Sequence, residues 1–283
     1  MNRIIRISGF IIIVFIIFTA FTKHVLLGIL ALLLYLVYLV YSKRNNLFAS
    51  LANTAHLKGD TELSLRWLDK AYKVDPKHHQ IVITYGYNLL KYGHIVQAEK
   101  VLEQLITPNT TQLQRSLINM NLALVRWKQN RLMEAVSMLE EINERMKTSV
   151  LYGSLGYLYI EQGNVERALT YNLEAYDYND SNTVILDNLG LTYIRLNEWN
   201  KAEDIYNKLI PLNPKFPEAY YHQGLVLFNK GKITQAYDCY VEALRQPFTY
   251  MSTEPKELVE SKKAELQEQL QIADESKNTN ESL

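Results

Sequence analysis

Cysteine is nearly absent from this chain. A single Cys239 among 283 residues excludes an intrachain disulfide and any cysteine-rich metal site. It falls among the apolar positions of a predicted helix, which marks it as a small core residue rather than a reactive thiol. An excess of charge is missing too: 30 basic and 30 acidic side chains give a formal net charge of +0. That balance argues against a nucleic-acid partner, because such binders neutralise phosphates with a basic surface. Strand-like alternation is lacking, and with it any strand that a glycine-rich phosphate loop could follow. There is no Gly-x-Ser-x-Gly elbow and no His-Glu-x-x-His helix. The adjacent His78 and His79 fall in an expected turn as a solvated pair, and Glu140, Glu141 and Glu144 read as a solvated acidic face. The expectation is a non-enzyme with no catalytic residue, cofactor or metal.

Apolar residues, by contrast, are abundant and unevenly placed. From Ile7 to Tyr41 the only charged or chargeable side chains are Lys23 and His24. As one helix this run would reach about 50 Å at a rise of roughly 1.5 Å per residue, far beyond a hydrocarbon core of about 30 Å. Breaking it at Phe21–His24 leaves two apolar segments, about 4–21 and 25–41, inside a predicted membrane hairpin covering 1–44. Arg3 and Arg6 precede the first span and Lys43 and Arg44 follow the second, while the turn holds only Lys23. Positive charge favours the cytoplasmic side, so both ends and the repeats are expected there, in a two-pass topology. A hairpin lying within one leaflet is the alternative. Cleavage as a secretory signal is disfavoured by Phe18-Thr19-Ala20, which puts a bulky ring where a small residue is needed.

The remainder is repetitive. Gly156, Gly190 and Gly224 recur every 34 residues, and Ala168, Ala202 and Ala236 keep the same frame. Extended backward through Ala135, Ala98 and Ser64, the frame yields six units beginning near 45, 79, 116, 149, 183 and 217. One position tests that frame independently of apolar matches. The turn inside each helix pair needs a left-handed residue, and there the chain has Gly59, Gly93, Asn130, Gly163, Asn197 and Gly231.

The clearest unit carries Leu186, Leu189, Gly190 and Tyr193, then Ala202, Tyr206 and Pro214. This resembles the tetratricopeptide repeat over residues 45–250, in a membrane-anchored member of that family. The resemblance implies an all-α, right-handed α-solenoid of six helix pairs. It also implies a concave groove, lined mainly by the first helix of each pair, that binds a protein or peptide. Projected onto the early units, that groove takes Asn53, Tyr87, Asn121, Trp127 and Lys128, with Leu124 beside them. Later units contribute Tyr157, Asp187, Asn188, Arg195, Tyr221, His222, Phe228 and Asn229, with Leu191 and Leu225. The expected surface is aromatic and amide-rich, with few charges. Chaperone-binding members hold a C-terminal carboxylate with a lysine on successive first helices. Here those positions read Ala49, Ile83, Met120, Gly153, Asp187 and Tyr221, so that clamp is not expected.

After Tyr250, Ser252 or Thr253 with Pro255 suggests a helix start, and Leu258, Leu266 and Leu270 form one apolar stripe. A capping helix over 251–274 and a disordered tail over 275–283 are expected. Two roles follow. The first is an adaptor or scaffold that recruits a partner to the cytoplasmic membrane face through its groove. The alternative is an accessory or assembly subunit of an integral membrane complex, with the hairpin as the specific contact.

Overall fold

The computed structural model describes the backbone of residues 2–281 and the side chains of residues 11–272 and 275. It is helical, with no strand among the described residues. The chain forms two compact units, Met1–Tyr85 and Gly86–Leu283, divided within one helix, α5 (His79–Lys91).

The first unit begins with α1 (Asn2–Lys23) and α2 (Val25–Ser42), separated by an extended His24. These two helices pack together where Gly28 lets the Phe21 ring occupy the space a Cβ would fill. Among the described residues α2 is long and apolar enough to cross a membrane, whereas Ile11–Lys23 is a shorter apolar stretch. The side chains of Arg3 and Arg6, on which the expected orientation depends, lie outside the described set. Next come α3 (Arg44–Leu57) and α4 (Thr61–Val74). Asp60 caps α4 through the Leu63 N–H, and the buried Ser64 hydroxyl donates to the Ala52 carbonyl at 2.9 Å. The expected boundary at residue 44 is not a boundary between compact units. Only Lys43 separates α2 from α3, and the Arg44 guanidinium donates back to the Tyr41 carbonyl at 2.7 Å. Hairpin and first helix pair therefore share one unit.

The second unit continues α5 and adds α6 (Ile95–Glu103), α7 (Gln112–Lys128), α8 (Leu132–Asn143), α9 (Ser149–Glu161) and α10 (Val165–Tyr178). It ends with α11 (Thr183–Arg195), α12 (Trp199–Leu209), α13 (Pro217–Asn229), α14 (Ile233–Arg245) and α15 (Lys256–Glu281). Each odd-numbered helix from α5 to α13, here an A helix, is followed by its B helix. All six turn positions singled out by the repeat frame have positive φ, Asn130 and Asn197 at 61° and 60° among them. Asparagine tolerates that left-handed conformation because its side chain can bond locally, and the turn reverses the chain at once.

The A and B helices of a pair approach closely where their residues are small. Ala202 and Ala236 are fully buried on α12 and α14. Four residues on, Tyr206 and Tyr240 lay their rings over Gly190 and Gly224, and a Cβ on Gly190 would stand 2.7 Å from the Tyr206 ring. In the fourth pair that place is taken by Asn172, whose amide donates to Thr192 at 3.0 Å.

Two boundaries differ from the sequence expectation. The third A helix starts at Gln112 rather than near Ser116, because Thr111 and Gln114 form a reciprocal capping box. The last helix starts at Lys256 and continues to Glu281, so 275–281, expected to be disordered, is helical. Val259 and Leu266 bury that helix against α14, and helix-favouring Glu, Gln and Lys residues carry it onward. Ser282 and Leu283 lie outside the described residues.

Candidate functional site

The connection between α14 and α15, residues 246–255, is the longest excursion from helix after residue 112. It does not loop into solvent. It returns across the A helices of the second unit, and we call it the strap. The Tyr250 N–H donates to the Lys91 carbonyl at the end of α5, at 2.9 Å. Its ring stands 3.5 Å from where a Cβ on Gly93 would lie, and the Lys128 ammonium of α7 is 5.5 Å from the ring centroid. The Thr253 N–H donates to the Glu218 carboxylate of α13 at 2.8 Å, while its side chain faces the Tyr157 hydroxyl of α9. Glu254 brings a carboxylate oxygen to 3.7 Å from His222 Nε2, an ion-pair contact too long for a hydrogen bond. One short segment thus touches four A helices, α5, α7, α9 and α13.

The floor beneath the strap is aromatic and charged. Trp127 and Tyr157 meet edge to face at 5.4 Å, and the Tyr157 hydroxyl donates to Glu161 at 2.6 Å. Burial lowers the Lys128 pKa, opposed by the Glu161 and Glu218 carboxylates. Burial raises that of Glu218, which the Thr253 N–H partly offsets. Deeper still, His222 is 1% exposed, and its Nδ1–H donates to Asp187 at 2.9 Å. Asp187 also accepts the Tyr206 hydroxyl at 3.1 Å. Burial alone would depress the imidazole, but the Asp187 and Glu254 carboxylates outweigh it and lift His222 to about 10. Both carboxylates thus favour the protonated ring.

The expected groove residues separate into three groups. Lys128, Tyr157, Tyr221 and His222 lie close to the strap, with Trp127 against Tyr157 and Asp187 behind His222. Tyr221, His222 and Asp187 are buried rather than open, because their rings and carboxylates pack between α11, α12, α13 and the strap. Other residues are committed elsewhere. The Asn188 amide ties α11 to the Gly153 carbonyl of α9 at 2.8 Å, Leu191 is in the core, and the Asn121 amide bonds back to Leu117. Tyr87, Arg195, Phe228 and Asn229 stay exposed at the helix edges, and Asn53 belongs to the first unit.

The surface is accordingly not poor in charge. It holds an ammonium and an imidazolium beside buried Asp187 and Glu218. Glu218 was missed because it reads as an ordinary acidic first-turn residue. The strap was missed although its signal is plain: Pro247 and Pro255 fall within a ten-residue break where helix–helix connections usually run about 2–8 residues.

Other singled-out residues have structural roles. Cys239 is half-buried, with its thiol pushed up to about 12 by burial and set against Gln223. Glu140 is not merely solvated, since it accepts the Tyr159 hydroxyl at 3.0 Å and pairs with Arg167. Nor are His78 and His79 a solvated pair: His78 accepts the Ile81 N–H at 3.4 Å, and His79 Nε2 is buried. Among the described residues no cluster of His, Cys, Asp and Glu is arranged to hold a metal ion.

Fold and face together define a tandem array of helix pairs whose A helices meet the strap. A tetratricopeptide repeat family model matches residues 188–247, covering most of α11 to α14. A TPR repeat-containing protein of Methanocaldococcus jannaschii is 29% identical over 92 residues, which are 32% of this chain and 16% of that protein. The photosystem I assembly protein Ycf3 of Acaryochloris marina is 33% identical over 70 residues, 25% of this chain and 40% of that one. The chain thus spans well under two thirds of the length of these relatives. The structure of PilW, a widely conserved type IV pilus biogenesis factor, superposes with a TM-score of 0.55 at 15% identity. That superposition covers 71% of this chain and 92% of PilW, a likeness of fold. These matches show that part of the chain is similar to tetratricopeptide repeat proteins.

Proposed function

We propose that this protein is a membrane-tethered adaptor that holds a segment of a partner protein against its A-helix face at the cytoplasmic side of a bilayer. The observation that carries the reading is the strap. An irregular segment already lies on that face, fastened by two backbone N–H groups and by side chains that meet Lys128 and His222. Aromatic anchors beside adaptable polar groups suit peptide recognition. The tether is α2, which leaves side chains such as Leu26 and Val37 uncovered, with Lys43 and Arg44 just beyond it. The protein acts by binding rather than by catalysis.

Photo-crosslinkers at the exposed A-helix positions Tyr87, Arg195 and Phe228, in native membranes, test the reading. A shared partner band absent from a control probe at Met133, exposed on α8, is expected. Equal or no capture from the two faces overturns it.

A second reading draws on the same exposed helix. If α2 docks into an integral membrane complex through its leucines and the stacked Tyr35 and Tyr38 rings, the protein is an accessory or assembly subunit and the repeats are a spacer. Ycf3, named for the assembly of photosystem I, supports this type of role by analogy alone.

A further inference from the structure

We infer that the strap is the resident ligand of the A-helix face, and that this face recognises in trans a turn-forming peptide bearing an aromatic residue and, four positions later, a carboxylate. The inference rests on the adaptor reading and names the chemistry of its partner segment. Three features of the strap carry it. Tyr250 supplies the aromatic element: its ring lies against the Gly93 turn and within reach of the Lys128 ammonium, which favours a ring face. Glu254 supplies the carboxylate, set toward the buried imidazolium of His222. Between them the Thr253 N–H donates to Glu218, so the recognised chain must offer a backbone donor there.

The strap is also held in a way that allows exchange. Tyr250 remains 43% exposed, the Glu254 contact is 3.7 Å, and two backbone hydrogen bonds bind the strap to the A helices, while the Phe248 ring rests on the last helix pair. Its persistence on the face has a different source. Both its ends are fixed, because α14 and α15 pack against each other through Val259 and Leu266. A tethered segment of this length faces its site at an effective concentration on the order of millimolar. An external peptide must therefore bind better than the strap's own weak contacts by enough to overcome that advantage. The face is occupied until such a peptide arrives.

The test uses the full chain in lipid nanodiscs and a fluorescent synthetic peptide of residues 246–256, read by anisotropy. In one variant, residues 247–254 are replaced by alternating Gly and Ser of the same length, keeping the α14–α15 connection. This variant is expected to bind the peptide at least about tenfold more tightly than the unaltered chain. A peptide with Ala at the positions of Tyr250 and Glu254 should lose that binding. A second variant, Tyr250→Pro/Thr253→Pro, removes both N–H donors together with the Tyr250 ring and the Thr253 hydroxyl, keeps Glu254, and should show an intermediate gain. Both variants must keep the helical circular dichroism of the unaltered chain. Equal affinity for the unaltered chain and the Gly/Ser variant overturns the inference, as does equal binding of the Ala-substituted peptide. No binding to a folded Gly/Ser variant overturns it as well. If A-face probes still capture a partner in that last case, the adaptor reading survives and only the strap chemistry is wrong.

Discussion

His222 shows how one residue can join three elements. It sits on α13, its Nδ1–H meets Asp187 of α11, and its Nε2 looks toward Glu254 of the strap. Tyr206 of α12 donates to the Asp187 carboxylate, and Glu218 and Tyr221 lie nearby on α13 itself. Because the folded pKa, at about 10, exceeds the unfolded value of roughly 6.5, the protonated form is favoured by folding. The resulting stability is fully present below about pH 6.5 and is lost as pH rises through 10. Thermal unfolding of the whole chain should therefore shift to lower temperature across that window. In His222→Gln the decline should be much shallower. The variant should also be less stable at pH 6.5, by about 3 kcal/mol, since Asp187 would be left buried without its counter-charge. A parallel decline in both proteins would refute a charged His222.

At the scale of elements, α15 and the strap act as one device. The strap stays on the A-helix face because α15 is anchored, and α15 is anchored by a short apolar stripe on a largely polar helix. Val259 is completely buried, in the cluster that also holds Tyr220, Tyr240 and Ala243. Val259→Asp should cost roughly 3 kcal/mol by placing a carboxylate there, and should release α15. Hydrogen exchange measured peptide by peptide should then rise in 246–272 while α9 to α12 keep their protection. Uniform loss of protection throughout the unit would instead mean that α15 is integral to the core. The terminal helix was legible from Leu258, Leu266 and Leu270. Its start was not, because Ser252 and Thr253 look like helix caps in sequence but serve the strap turn and Glu218 in the fold.

At the scale of the molecule, the apolar α2 and the repeats lead to separable expectations. Exchanging residues 1–43 for an unrelated two-helix anchor of the same topology should leave partner capture by A-face probes unchanged if the repeats carry recognition. Loss of capture with the repeats still folded would favour the accessory-subunit reading, in which α2 is the specific contact. Coimmunoprecipitation and crosslinking in the same membranes distinguish the two outcomes.

The local features could be read in advance because they depend on single residues. The alternation of helices, the left-handed Gly and Asn turns and the close packing at Gly190 and Gly224 each follow from one side chain's size or one backbone's freedom. Those constraints act within a repeat, so a repeat-long window of sequence contains them. The state of the inner face does not depend on one window. It arises where Lys91, Lys128, Tyr157, Glu218 and His222, distant along the chain, meet a segment that follows the last helix pair. Residues chosen for an open groove, such as Tyr221 and His222, proved buried for the same reason. The sequence determined the repeats; only the tertiary structure decided that the strap lies on the face they build, because that contact joins residues of several helix pairs to one distant segment.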